Sequence, residues 1–157
     1  MKKFKLTSEF IVDISGVKLF RIKALIEFGN VKAGDLGGYI EKEENLSHMG
    51  NAWVSGNAQV SGDARVSGNA RVSGDAQVFG DARVSGDKDY AYAHGFGSCN
   101  RTTTFFRLKD GDVGVRCGCF YGTLAQFRDK VCETHGETKK AQEYLMLADL
   151  MEIRFKN

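Results

Sequence analysis

Between Val54 and Asp87 the chain repeats one six-residue phrase, V-S-G-(N/D)-A-(Q/R), with a single obvious departure, Phe79 in place of Ser. Valine stands at 54, 60, 66, 72, 78 and 84 and alanine at 52, 58, 64, 70, 76 and 82, so the period is six without a gap. A fixed period constrains the fold of a segment more than any local feature does. Six residues do not close a whole number of helical turns, and a glycine in each repeat would cost a helix about 1 kcal/mol apiece. The pattern predicts a short strand with Val and Ala inward and Gln or Arg outward, followed by a Gly-Asn or Gly-Asp corner. Three such sides close a triangular coil of eighteen residues, which sets Arg65 over Arg83, Gln59 over Gln77 and Trp53 over Arg71. Stacked arginines repel at the strand spacing of about 4.8 Å. The ladder is therefore either relieved by Asp63, Asp75 and Asp81 nearby in sequence or occupied by an anion.

Gly50 to Gly86 supplies roughly two such coils, too few to bury a stable stack alone, so the flanks are expected to cap them. Phe79 stands where other repeats carry a small residue and is expected to touch the C-terminal part or another subunit. Val66-Ser67-Gly68-Asn69-Ala70-Arg71 follows the spacing rule of hexapeptide-repeat proteins, and the segment resembles that family, whose fold is a left-handed parallel β-helix. The non-repetitive stretch from Gly37-Gly38-Tyr39-Ile40 through Asn45-Leu46-Ser47 to Gly50-Asn51-Ala52-Trp53-Val54 is similar to that of YdcK-type proteins and of small phage and prophage proteins. The resemblance covers about Phe20 to Val84. It implies a β-helix scaffold, a homo-oligomer with a trimer favoured, and a phage or prophage origin, but no particular reaction. Right-handed helices of the bactofilin kind use similar valine spacing, so the period leaves the hand open.

The flanks read differently. Phe20 to Ile26 alternates like a strand and leads through Gly34-Asp35-Leu36-Gly37-Gly38 into the repeat. After the repeat, Thr102 to Leu108 and Val113 to Phe120 read as two strands around the turn Lys109-Asp110-Gly111-Asp112. Thr123 and Gln126 form a capping box for a helix that ends at Gly136, with Leu124, Phe127 and Val131 as its apolar stripe. A second helix is expected from about Lys139 to Met151, with an edge strand at Ile153 to Phe155. The overall expectation is mainly β: an N-terminal strand and turn cap (1–50), a hexapeptide-repeat parallel β-helix (51–87), a linker (88–100) and a small α+β, ββαα domain (101–157).

The 157 residues carry a formal charge of +2, which excludes the strong basic field of a general nucleic-acid binder. No apolar run approaches the ~18 residues of a membrane span, and no apolar signal region follows Met1-Lys2-Lys3-Phe4-Lys5. The expected setting is cytoplasmic, that of the host for a phage-encoded chain. Cys99, Cys117, Cys119 and Cys132 cluster in the last third and read as reduced thiols.

Candidate chemistry is sparse. A hexapeptide acyltransferase would use a histidine base, but His48, His94 and His135 all lie outside the regular coils, and the projecting loop usual in those enzymes is missing. Cys117, Cys119, Cys132 and His135 have donor types that suit zinc, yet the cysteines also read as small apolar residues of a strand and a helix. No P-loop, dinucleotide fingerprint or nucleophile elbow is present. Arg101, Thr103, Arg107 and Arg116, with Tyr92 and Phe105, form a candidate binding set for a phosphate-bearing ligand. The expectation is a non-enzymatic, cofactor-free phage or prophage accessory protein that binds such a small molecule or a host protein. One concrete form is sequestration of a nucleotide signal of host antiviral defence. A self-assembling, polymer-forming protein and an acyltransferase-like enzyme are the alternatives.

Overall fold

The structure is a computed structural model that describes residues 2–97 and 101–156. Strands β1 (Phe4–Val12) and β2 (Lys18–Ala24) form an antiparallel hairpin, and β2 pairs antiparallel with β3 (Leu36–Ile40). The chain then winds through β4 (Trp53–Val54), β5 (Gln59–Val60), β6 (Arg65–Val66), β7 (Arg71–Val72), β8 (Gln77–Val78) and β9 (Arg83–Val84). Strands β3, β5 and β8 stack in parallel on one side, β4 and β7 on a second, and Leu46, β6 and β9 on the third. Trp53 pairs with Arg71, Gln59 with Gln77 and Arg65 with Arg83, the step that the repeat predicts. This is a parallel β-solenoid, and the stack β3-β5-β8 gives that side three layers where the repeat alone provides two.

Each corner follows from its residues. Glycines 56, 62, 68, 74 and 80 have φ between 61° and 66°, a region that a side chain rarely enters and glycine enters freely. The following Ala N–H closes the turn on the preceding Ser carbonyl, as from Ala58 to Ser55 at 3.2 Å. The inward alanines and valines from Ala52 to Val84 are buried, each valine contributing about 1.5–3 kcal/mol by leaving water. The first layer is hidden in the sequence because its step is longer. Tyr39 pairs with Gln59 and Leu46 with Val66, twenty residues apart, and the corner between Leu46 and Trp53 absorbs the two extra residues.

The coils are joined by parallel ladders, whose hydrogen bonds run both ways between neighbouring strands. Alternate rung N–H groups donate to carbonyls of the next coil, as Trp53 does to Ala70 and Gln59 to Ala76, and the residues between them point the other way. Each end of the stack therefore presents both carbonyls and N–H groups, which must find partners when covered. At the first end Lys3 Nζ donates to the carbonyls of Gly50 (3.4 Å) and Ala52 (2.6 Å), and Arg21 Nη1 donates to that of Gly37 (2.8 Å). The Asn45 amide donates to Gly62 and Ala64 where a short 3-10 turn interrupts the rung. At the other end both kinds of partner occur: the Lys109 N–H donates to the Asp81 carbonyl (2.9 Å) and the Tyr90 hydroxyl to that of Arg71 (2.5 Å). Asp87 Oδ1 takes the N–H of Arg71 (2.8 Å), Thr104 Oγ1 that of Gln77 (2.9 Å), the Tyr121 hydroxyl that of Asp81 (3.2 Å), and Asp89 Oδ2 those of Ser85 and Gly86.

The C-terminal unit is a four-stranded antiparallel sheet of β10 (Tyr90–Phe96), β11 (Arg101–Arg107), β12 (Val113–Cys117) and β13 (Phe120–Thr123), followed by helices α1 (Leu124–His135) and α2 (Lys139–Arg154). One face lies on the solenoid: Phe106 joins the solenoid core, and the Tyr92 and Tyr121 hydroxyls press on the corners at Gly74 and Gly80. The other face, with Phe105, Val113 and Val115, packs under Leu124, Phe127, Val131, Tyr144, Ala148 and Met151. Three expectations change. Residues 90–96 of the expected linker are a strand, registered Tyr90 to Phe106 and Ala91 to Phe105; positions 98–100, including Cys99, lie outside the described residues. The stretch from Val113 to Phe120 breaks at Gly118, whose φ of +59° makes a tight hairpin with Cys117 opposite Phe120. The edge strand at Ile153 to Phe155 is absent because α2 runs to Arg154 and buries Phe155 as its cap.

Candidate functional site

Strand alternation divides the predicted ligand set. On β11, Arg101, Thr103, Phe105 and Arg107 alternate with Thr102, Thr104 and Phe106, of which Thr104 and Phe106 meet the solenoid. Arg116 lies opposite Thr104, as Tyr92 does from the other neighbouring strand. Arg101 and Thr103 thus share the helix-facing side, while Arg116 and Tyr92 share the solenoid-facing side.

Arg116 is 5% exposed, with its guanidinium 4.1 Å from the Phe79 ring centroid and Nη2 3.7 Å from Asp13 Oδ2. Asp13 belongs to the turn of the N-terminal hairpin, so the ion pair joins the first and last parts of the chain. Burial lowers the Arg116 pKa from its ordinary value and the Asp13 charge opposes that shift. Phe79 also meets Tyr121 edge-on at 4.9 Å, which is the contact with the C-terminal part expected for it. Arg107 is likewise engaged, with Asp89 at 3.7 Å, the Gly111 carbonyl at 3.4 Å and the Phe155 ring. Phe105 is core, edge-on to Phe127 at 6.0 Å.

Arg101 opens onto a cavity of about 190 Å³ between the sheet and the helices. Its walls are Phe120, Phe127, Val131 and Tyr144; Arg101, Lys130, Thr134 and His135 supply polar groups, and Cys117 and Cys119 line one side. No carboxylate is among these described lining residues, and Lys130 pairs with Glu133 at 3.9 Å. The Gly118 turn lets Arg101 lie flat, since a Cβ there would strike its guanidinium. Thr103 Oγ1 donates to Cys117 Sγ at 3.3 Å, and Cys117 Sγ lies 3.6 Å from the Tyr144 hydroxyl. Burial, then the hydrogen bond to Cys117, hold the Tyr144 phenol above its ordinary pKa, with the Arg101 charge acting in the opposite sense. Tyr144 is therefore a neutral wall of the cavity at physiological pH.

Lys130, Val131, Thr134 and His135 were not in the predicted set, although their spacing after Phe127 places them along one side of α1. That signal was legible; what was not was that this side faces the start of β11. Of the zinc candidates, Cys132 is exposed on α1 and does not line the cavity, and no group of three metal-ligating side chains occurs among the described residues. His48 stacks on Phe4 at 4.3 Å, its Nδ1 accepts the Lys3 N–H at 3.0 Å and its Nε2 meets Glu43 Oε1 at 2.8 Å. Both nitrogens are occupied, so it is built into the cap rather than poised as a base.

Residues 58–74, 64–78 and 76–87 match the family described as YdcK Beta solenoid repeat. The repeat segment is thus similar to YdcK-type β-solenoid repeats, in agreement with its parallel rungs. No curated protein matches the chain. Among the described residues, no helix is long and apolar enough to cross a membrane.

Proposed function

We propose that this protein is a non-enzymatic binding module in which the β-solenoid is a rigid mount and the C-terminal pocket takes a small phosphate-bearing ligand. The supporting observation is that Arg101 and Lys130 both line an aromatic-walled cavity. A guanidinium matches two phosphate oxygens at once, and an ammonium adds a point charge. The engaged state of His48 speaks for binding without acyl transfer. The hydrogen-bonded ends of the solenoid speak against end-to-end polymerisation, which needs unpaired rungs.

Sequestration of a nucleotide signal of host antiviral defence, by a phage or prophage accessory protein in the host cytoplasm, is the biological form of this proposal. A left-handed coil and a homo-oligomer, a trimer by likeness to hexapeptide proteins, belong to it as well. Self-association is supported by the outer row of α2, where Met146, Leu150 and Ile153 are 71%, 54% and 73% exposed.

Thermal unfolding of the full chain with uridine or adenosine 5′-monophosphate tests the reading. A ligand present at about a hundred times its Kd adds about 2.7 kcal/mol of stability, which raises Tm by several degrees. Wild type should show that rise with at least one nucleotide, and Arg101→Ala should lose it. No rise in wild type with either nucleotide contradicts the proposal.

A further inference from the structure

Resting on the binding reading above, we infer that the pocket accepts a single six-membered aromatic ring with its phosphate held at the mouth, and rejects a fused double ring. The volume decides this. An apolar cavity of about 150 Å³ holds one benzene, whereas pockets that enclose drug-sized ligands begin near about 300 Å³. At about 190 Å³ this cavity exceeds the first and falls short of the second. Its walls are also fixed. Phe127 stands edge-on to Tyr144 (5.6 Å, 85°) and tilted against Phe120 (5.8 Å, 52°), and Phe105 meets Phe127 edge-on from the core. Tyr144 is 3% exposed and is held by Cys117 at its hydroxyl, so widening the slot would break a packed aromatic cluster.

The same rings set the face of the ligand. Aromatic walls favour offset or edge-on contact with an inserted ring, worth about 0.5–1.5 kcal/mol beyond area burial. The charges lie where an exocyclic phosphate would emerge: Arg101 begins β11, and Lys130 is on the exposed side of α1, with 54% of its side chain open to solvent. Thr134 and His135 add groups able to donate to or accept from ring substituents. The ligand class is therefore a monocyclic aromatic phosphate, and among nucleotides the pyrimidines rather than the purines.

Isothermal titration of the full chain with phenyl phosphate, 1-naphthyl phosphate and inorganic phosphate separates the parts of this inference. Phenyl phosphate should bind at least about tenfold more tightly than either of the others, a difference of about 1.4 kcal/mol. Arg101→Ala should weaken it by about tenfold or more, and the exposed Lys130→Ala, which leaves the core intact, should weaken it in the same direction. Naphthyl phosphate binding as well as phenyl phosphate overturns the ring-size inference and leaves the binding reading standing. Inorganic phosphate binding as well as phenyl phosphate does the same, because the ring would then contribute nothing. Failure of wild type to bind any of the three overturns both.

Discussion

Lys3 shows how much one side chain carries at the N-terminal end. It is 1% exposed, donates to two solenoid carbonyls and lies over the Phe28 ring at 4.6 Å. Burial first, and the neighbouring Arg71 charge second, lower its pKa to about 8 from 10.5. As pH rises, the folded protein releases this proton before the unfolded chain does, so between about pH 8 and 10.5 the unfolded state binds more protons and Lys3 favours folding increasingly. Urea unfolding of wild type and Lys3→Met across this window should show wild type gaining stability relative to the variant. A difference that stays flat or reverses would mean that Lys3 is not desolvated. At the same scale, the sequence showed that Arg116 and Cys117 point to opposite sides of their strand, because alternation is local. It did not show which side was the pocket, because that depends on where the solenoid and the helices lie.

Among the elements, legibility follows the strength of the local pattern. The six-residue period carries its own register, so the pairs from Trp53–Arg71 to Arg65–Arg83 were readable without a structure. The first layer was not, since the longer corner after Leu46 removes the period before it can be seen. Helix α1 announced itself through Thr123, Gln126 and Gly136, and the reciprocal bonds of the capping box are present at 3.2 and 2.9 Å. Strand β10 did not, because Ala91, Ala93 and Gly95 between its aromatics look like a loop. The join between solenoid and C-terminal sheet makes a specific prediction. Thr104→Val keeps the side-chain shape but removes the acceptor for the Gln77 N–H, and a buried donor left unpaired costs about 1–3 kcal/mol. Chemical denaturation should find that loss, whereas unchanged stability would show that Thr104 only fills space.

For the whole molecule, two unlike caps satisfy the open backbone groups at the ends of one simple repeat. The first end takes the donors Lys3, Arg21 and Asn45 and the acceptor Glu41; the last end takes the acceptors Asp87, Asp89, Thr104 and Tyr121 and, as donors, the Lys109 N–H and the Tyr90 hydroxyl. The Asp13–Arg116 pair then ties the hairpin of the first cap to the sheet of the second, so the two ends are held in one body around the coils. The pocket lies beyond this clamp, on the far face of the C-terminal sheet, and the solenoid positions it without lining it. The competing basic feature is the Arg65/Arg83 ladder, where Arg83 already donates to the carbonyls of Asp63 and Ala82, and Glu43, Glu44 and Asp63 stand nearby. Backbone amide NMR mapping of the isotope-labelled protein titrated with phenyl phosphate distinguishes the two most directly. Saturable shifts confined to the surroundings of Arg101, Gly118, Lys130 and His135 are predicted; shifts centred on Arg65 and Arg83, with the C-terminal resonances unmoved, would contradict the account.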